Sequence, residues 1–198
     1  QGNGKVVYLV STPTSQELLN PTIKSNCALL CQDVKAHPHV IVDNEKQLQL
    51  LRGKVGMLGM YPAANKAFSK MLAQIFKLAA EPSPIQSFDT KDLEKCLATP
   101  GRMSLGTIAV KDFRADNLGM KIFKGCTDRS PCPTPAAKAQ AGVLLLVTST
   151  DTASDPTASN QMEAAISYVG GRSDTLFSGV YVRQGLPGLV AIMVLCGM

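Results

Sequence analysis

The sequence predicts an α+β protein, with a helix-rich amino-terminal half packed with a mainly antiparallel β-sheet carboxyl-terminal half. Apolar residues recur at a helical period before residue 83, whereas short apolar runs bounded by turn formers dominate after residue 100. Only one helical pattern interrupts these later runs, which favours antiparallel pairing over regular helical crossovers. We therefore expect two subdomains, residues 1–82 and 83–198, which can also form one continuous domain.

The first half opens with a β-branched strand over residues 5–10, and a second short strand is expected over residues 39–42. Thr14 and Glu17 have the spacing of a capping box, in which each residue satisfies the other's backbone N–H at the start of a helix. Asn20 stands before a proline, which is typical of an N-cap followed by the first helical position.

Three further helices are predicted in this half. Residues 23–34 carry one apolar stripe, and Asn44 opens a second helix that a glycine weakens. The clearest helix covers residues 65–80, where five apolar residues share one face, and Pro82 stops it. In the second half, Asp89 or Thr90 caps a short helix.

The strongest strand signal in the second half is the uninterrupted aliphatic run 142–147. A run of this length between turn formers indicates a central strand buried on both faces, so Leu144, Leu145 and Leu146 should lie in the core. The predicted strands are residues 105–110, 118–123, 142–147, 176–183 and 189–196. One helix is expected over residues 160–169, and residues 125–140 and 149–159 are interpreted as exposed loops.

The composition is that of a globular protein and excludes wholesale disorder, since 45% of the 198 residues are hydrophobic and 18% are charged. The net charge of +5 allows an acidic partner without requiring one. The longest late apolar run is far shorter than the ~20 residues that cross a bilayer, so we expect no transmembrane segment. Several of the six cysteines stand among aliphatic residues, which favours a reducing, intracellular, cytoplasmic setting. Cys126 and Cys132 bracket a turn and can pair, but two free thiols are the simpler interpretation.

Metal-ligand chemistry is concentrated in Cys27, Cys31, His37 and His39. Two thiols at i and i+4 share a helix face, and a His-x-His pair in a strand points both rings the same way, so the four could close a zinc site. Their spacing is not that of a standard zinc finger, and Cys27 continues an apolar stripe. We therefore expect packed thiols, no metal and no cofactor.

Catalytic signatures are sparse, and the sequence favours a non-catalytic module over an enzyme. A nucleophile needs an adjacent base, the only histidines are His37 and His39, and no G-x-S-x-G motif is present. The alternative is a small-ligand or nucleotide-binding enzyme, with its site near residues 10–14 or in the turn between Gly53 and Gly59. These glycines match no standard phosphate-binding fingerprint, so turns around a small strand are the simpler interpretation.

The leading hypothesis rests on the helix at residues 65–80, where Lys66, Lys70 and Lys77 fall within about 40° of one another with no acid between them. Lys121 and Lys124 belong to a second basic region. We therefore predict a binding or assembly module that presents a basic helix to an acidic macromolecule, such as nucleic acid, or to an anionic membrane surface. It can also self-associate as a homo-oligomer through its sheet.

Overall fold

The computed structural model describes residues 6–82, 85, 88–111, 113, 116–135 and 137–198, and one mixed sheet runs through them. Its strands in these residues are β1 (Tyr8–Thr12), β2 (Pro38–Asp43), β3 (Gly101–Val110), β4 (Ala139–Thr148), β5 (Ser173–Val182) and β6 (Leu189–Cys196). They lie in the order β1-β2-β3-β6-β4-β5. β1, β2 and β3 are parallel, as are β4 and β5, whereas β6 is antiparallel to both of its neighbours. The predicted α+β class is confirmed.

The helices pack on both faces of this sheet. They are α1 (Pro21–Asp33), α2 (Asn44–Leu51), α3 (Met60–Ala80), α4 (Thr90–Leu97), α5 (Leu118–Asp128), α6 (Thr150–Ala153) and α7 (Pro156–Gly170). Short 3₁₀ turns occupy Glu17–Leu19, Val34–Ala36 and Met57–Gly59. None of the helices in the described part of the chain is long and apolar enough to cross a membrane.

Three of the predicted caps are confirmed in the structure, whereas α2 is capped by Asp43 and not by Asn44. The Thr14 N–H donates to Glu17 Oε2 at 2.7 Å, and the Glu17 N–H donates to Thr14 Oγ1 at 3.4 Å, which is the expected reciprocal box. The Asn20 side chain accepts from the backbone of Thr22 at 2.9 Å at the start of α1. Asp89 caps α4 in the same way. These local signals operate over three residues, which is why they can be predicted without the fold.

The aliphatic run forms β4, an interior strand that lies between β6 and the edge strand β5 and not at the centre of the sheet. Leu144, Leu145 and Leu146 are all 0% exposed, which confirms the predicted core. Leu145 packs in the core cluster that also holds apolar residues of α3 and α4, whereas Leu144 and Leu146 belong to the cluster of α5 and α7. The molecule therefore has a helical layer, the sheet and a second helical layer, and β4 is buried on both faces.

The expected strand at residues 118–123 is wrong, because this segment is the first part of α5. Leu118, Ile122 and Cys126 are buried at helical spacing against β3 and β6, so their tertiary contacts favour the helix over the local β pattern. The expected exposed loop at 125–140 therefore begins inside a helix. The polar stretch 149–159 is also not a loop, since it contains α6 and the start of α7, which Asp155 caps.

Two features of the first half also differ from the prediction. No residue of α1 is buried, and Leu30 on its apolar stripe is 49% exposed, so most of the stripe lies at the surface and only Val34, just after the helix, is buried. Helix α3 begins at Met60, five residues before the predicted start. Strand β1 is described from Tyr8, and residue 5 of its predicted range lies outside the described residues. Residue 83 also lies outside them, and the division into two subdomains stays a prediction.

Candidate functional site: a polar cleft at the carboxyl ends of β1 and β2

A polar cleft opens where β1 and β2 end, at the edge of the sheet where Thr12 pairs with Asp43. The segment after β1, the first two turns of α2, the turn after α2 and the start of α3 line it. It encloses about 1370 Å³, including the open solvent at its mouth. In open α/β sheets, ligands bind in crevices beyond the carboxyl ends of parallel strands, so the topology makes this cleft the first candidate.

Glu17 supplies the first carboxylate of the cleft. Its Oε2 accepts from the Thr14 N–H at 2.7 Å and from the Thr14 hydroxyl at 2.8 Å. These two hydrogen bonds, the backbone one first, lower the pKa of Glu17, so the side chain is ionised near neutral pH. The capping box thus fixes both the charge and the position of this acceptor.

Glu45, in the first turn of α2, supplies the second carboxylate. Its Oε2 accepts from the Ser15 hydroxyl at 2.7 Å and from the Ser15 N–H at 3.1 Å, and these bonds lower the pKa of Glu45. Beside it, the Ser11 hydroxyl donates to Asn44 Oδ1 at 2.8 Å, across from β1 to α2. Two ionised acceptors and an amide therefore stand within a few residues of the two strand ends.

The lining of the cleft also includes an aromatic ring and a cation. Tyr61, in the first turn of α3, lines the cleft and is 43% exposed, so part of its side chain is accessible. Arg52, directly after α2, is the basic residue that lines the cleft. Asn65 is exposed one turn beyond Tyr61 on α3, the spacing at which side chains share a helix face. The two carboxylate acceptors, the Tyr61 ring and the Asn65 amide together suit a ligand that has hydroxyl groups and a planar base.

The alternative prediction puts a ligand site near residues 10–14 or in the turn between Gly53 and Gly59, and both segments contribute to the lining of this one cleft. Thr14 ends the first of them, and Gly53 and Val55 lie in the second. The sequence suggests turns around a small strand between Gly53 and Gly59, but the described residues there form turns and a 3₁₀ segment without a strand. Helix α3 follows Gly59 directly, and this early start is what brings Tyr61 to the cleft.

Sequence reasoning missed Glu17, Glu45 and Tyr61 as site residues. Glu17 was recognised only as a capping residue, although a carboxylate fixed at a strand end was already visible in the pattern. Tyr61 cannot be predicted as a site residue, because Pro62 beside it indicates a helix break and the pattern therefore does not predict the first turn of α3. A proline is tolerated there, since the first helical turn has no intrahelical N–H bonds to lose.

The five predicted partner-binding lysines are not brought together. Lys66, Lys70 and Lys77 are exposed on α3, and Lys77 Nζ lies 3.9 Å from Glu81 Oε1, so an acid does adjoin this face. The other two lysines, Lys121 and Lys124, belong to α5. Because α3 and α5 pack on opposite faces of the sheet, the two basic regions form no common surface.

The four residues considered for a zinc site are also not assembled into a ligand cage. Cys27 and Cys31 lie one turn apart on α1, and burial raises the pKa of the Cys31 thiol, with Cys27 adding to the effect. His39 is buried with its Nδ1 2.8 Å from the His37 carbonyl oxygen, and the His37 ring packs 5.4 Å from that of Tyr8. Among the residues that the structure describes, no three His, Cys, Asp or Glu side chains are grouped so that they could hold a metal ion.

No protein-family model and no curated relative matches this sequence, but its fold is similar to that of several solved structures. TubZ of Bacillus thuringiensis serovar israelensis, in GDP-form protofilaments, has a TM-score of 0.76 at 16% identity, over 100% of this chain and 54% of that chain. CetZ2 of Haloferax volcanii, in a GTPγS-bound protofilament, has a TM-score of 0.74 at 17% identity, over 98% and 56%. An empty FtsZ dimer from M. jannaschii has a TM-score of 0.71 at 14% identity, over 98% and 55%. The chain thus spans about half the length of the structures it matches.

The leading prediction from the sequence, a module that presents a basic helix to nucleic acid or to an anionic membrane surface, is wrong. The fold is similar to that of the TubZ, CetZ and FtsZ structures, which are described as protofilaments and a dimer and not as nucleic-acid or membrane complexes. The structure also gives a physical reason against this prediction. The predicted basic regions lie on different helical layers, and Lys77 already has an acidic neighbour. Whether the individual lysines contact any partner stays a prediction.

Proposed function

We propose that this chain is part of a nucleotide-binding protein that self-assembles, and that the cleft beyond β1 and β2 holds the nucleoside part of a guanine nucleotide. The observation that carries the proposal is the placement of Glu17, Glu45 and Tyr61 around one cleft at the carboxyl ends of parallel strands. The fold likeness supports it, since the matching TubZ and CetZ2 structures are described as GDP-form and GTPγS-bound protofilaments.

The two carboxylates suit the ribose. An ionised carboxylate accepts hydrogen bonds and donates none, and a ribose offers two vicinal hydroxyl donors. Acidic residues take this role toward ribose hydroxyls in other nucleotide sites built on parallel sheets. Glu17 and Glu45 keep their charge near neutral pH because Thr14 and Ser15 donate to them, so the acceptors are preformed before a ligand arrives.

The aromatic ring suits the base. A purine stacked on an accessible Tyr61 ring gains about 1–3 kcal/mol, the range found for base–aromatic stacking. Asn65, one turn further along α3, carries both a donor and an acceptor that can read the edge of a base stacked on that ring. The start of α3 therefore supplies shape and hydrogen-bonding specificity from a single rigid element.

This chain offers far fewer partners to the phosphates than to the ribose and the base. Among the described residues that line the cleft, Arg52 is the cation, and two acidic side chains oppose it. A phosphate cradle needs successive backbone N–H groups at a glycine turn before a helix, and the sequence lacks its fingerprint. We therefore expect the nucleoside to provide most of the affinity for this chain, with the phosphates reaching beyond it.

Nucleoside binding gives the direct test. Titration of the 198-residue chain with guanosine and GDP, followed by saturation-transfer NMR, should show binding of both with affinities within about tenfold. Tyr61→Ala should weaken guanosine binding about 5- to 100-fold, the equivalent of a lost stack. Lys66→Gln, on the exposed face of α3, is the matched control and should leave binding unchanged. Absence of binding by either ligand, or equal binding by the Tyr61 variant, would show that the cleft is not a nucleoside site.

Self-assembly is the second part of the proposal, and the turn beside the cleft supports it. Leu58 is 97% exposed, and Val55 and Met60 on either side of it line the cleft, so a second copy that covers the cleft would also bury this leucine. The sequence predicts a homo-oligomer that forms through the sheet; we propose instead that the contact forms at this turn, which is not part of the sheet. The predicted cytoplasmic location stays part of the same proposal.

Sedimentation velocity over a concentration series, with and without GTP, tests this assembly. We expect species larger than a monomer to increase with concentration, and Leu58→Glu to shift them toward the monomer by adding an unpaired charge to a buried contact. Leu29→Glu changes an equally apolar exposed residue on α1, away from the cleft, and should have little effect. A chain that stays monomeric at every concentration and with every nucleotide contradicts the assembly proposal.

A further inference from the structure

Two cysteines that are 100 positions apart in the sequence meet in the core. Cys96, at the end of α4, and Cys196, the last residue of β6, are both 0% exposed, and their Sγ atoms lie 2.8 Å apart. Non-bonded heavy atoms usually pack at about 3.5–4.0 Å, whereas two sulfurs joined in a disulfide lie about 2.05 Å apart. The pair therefore needs an approach of only about 0.75 Å to form a bond.

The backbones around both cysteines are held close together independently of the sulfur contact. The Arg102 N–H donates to the Met198 carbonyl at 3.0 Å, and the Met198 N–H donates to the Arg102 carbonyl at 3.1 Å. A Cβ added to Gly197 would lie 2.7 Å from Cγ2 of Thr99, so the chain after β6 passes directly against the chain after α4. The distance between the two cysteines is thus fixed by the fold.

We propose that Cys96 and Cys196 form an intrachain disulfide, a covalent modification site at which α4 becomes bonded to the sheet when the chain meets a low-molecular-weight disulfide such as glutathione disulfide. The thiolate of one cysteine attacks glutathione disulfide, forming a mixed disulfide and releasing one glutathione thiolate. The second cysteine attacks the protein sulfur of that mixed disulfide and releases the other glutathione. Two protein thiols are oxidised, glutathione disulfide is reduced to two glutathione thiols, and the two cysteine protons pass to the departing thiolates.

Burial controls the rate of this reaction. The hydrogen bond that the Cys196 thiol shares with Cys96, followed by burial, raises the pKa of Cys196 well above its usual range, so few thiolates exist in the closed state. Glutathione disulfide can reach the pair only when the end of α4 separates from the sheet. Oxidation should therefore be slow in the folded chain, and the product should be correspondingly resistant to reduction.

The other cysteines are poor competitors. Cys126 and Cys132 are equally buried, but they belong to the core clusters on opposite faces of the sheet, so they cannot meet without unfolding. Cys27 and Cys31 are one helical turn apart, where Cβ atoms are about 5–6 Å apart, against the roughly 3.5–4.5 Å that a disulfide requires. The two cysteines that are joined in the oxidised chain therefore show whether Cys96 and Cys196 are in contact in solution.

The experiment is mass spectrometry of the full chain after incubation in glutathione buffers of increasing oxidation, followed by acid quench and alkylation of the remaining thiols. The expected product has lost two alkylatable thiols out of six and carries no glutathione, and its peptide map joins the segments with Cys96 and Cys196. A parallel arm refolds the reduced, unfolded chain in the same buffers, which removes burial as a kinetic barrier. The refolded arm should yield the same link.

Three outcomes separate the proposal from its alternatives. Cys96→Ser should abolish the link and Cys132→Ser, its equally buried control, should retain it, with thermal melts showing that both variants fold. The oxidised wild type should melt at a higher temperature than the reduced form, because the link closes a loop of about 100 residues in the unfolded chain. Six free thiols in both arms, or a link between other cysteines, would overturn the proposal.

Discussion

Replacement of Leu144 by alanine is expected to lower the free energy of unfolding by about 2–5 kcal/mol. The side chain is 0% exposed on an interior strand of the sheet, with α5 and α7 packed over it, so the surroundings can relax only partly to fill the space. The loss combines the transfer energy of the missing carbons with the cost of the cavity they leave. Urea unfolding of both proteins, at equal m-values, measures the difference.

Leu19→Ala is the matched control for this prediction, since it removes the same atoms from a side chain that is 80% exposed. It should change the free energy of unfolding by no more than about 0.5 kcal/mol. If the two variants had equal effects, Leu144 would not lie in a rigid, fully buried strand, and the three-layer arrangement would be wrong.

Replacement of Gly106 by alanine is expected to cost at least about 3 kcal/mol, more than most small-to-large changes. A Cβ at this position would lie 2.1 Å from the carbonyl oxygen of Cys126, and the obstructing atoms are backbone rather than a flexible side chain. To relieve the clash, α5 must move away from β3, which would break the contacts of Leu118 and Ile122 with the core. Chemical unfolding and the loss of near-UV circular dichroism should report this change.

Gly56→Ala provides the comparison, because nothing lies within 4 Å of a Cβ added there. That variant should be neutral or more stable by up to about 1 kcal/mol, as the alanine restricts the unfolded chain. A Gly106 variant as stable as the Gly56 variant would show that α5 does not pack directly on β3, and would restore the strand that the sequence predicts at residues 118–123.

The proposed nucleoside site and the proposed disulfide lie in different parts of the molecule and can fail separately. The cleft depends on β1, α2 and the start of α3, whereas the cysteine pair joins the end of α4 to the end of β6. Loss of nucleoside binding in the Tyr61 variant should leave the oxidation behaviour unchanged. Likewise, Cys96→Ser should bind guanosine as the wild type does.

The sequence by itself determined those parts of the protein whose causes act over a few residues. The aliphatic run around Leu145 predicts a central strand, because only burial on both faces suits such a pattern. The capping box of Thr14 and Glu17 and the cap at Asn20 follow from hydrogen bonds that close within three residues. The longest helix was predicted as well, apart from its first turn.

Tertiary structure alone decided the rest, because the deciding contacts join residues distant in sequence. Packing against β3 and β6 makes residues 118–128 helical, although their local pattern also suits a strand. Parallel pairing of β1 with β2 brings Glu17 to Glu45 and, with the early start of α3, to Tyr61, while no short-range pattern relates these three side chains. The contact of Cys96 with Cys196 arises in the same way, since its 100-residue separation is closed only when α4 docks on the finished sheet.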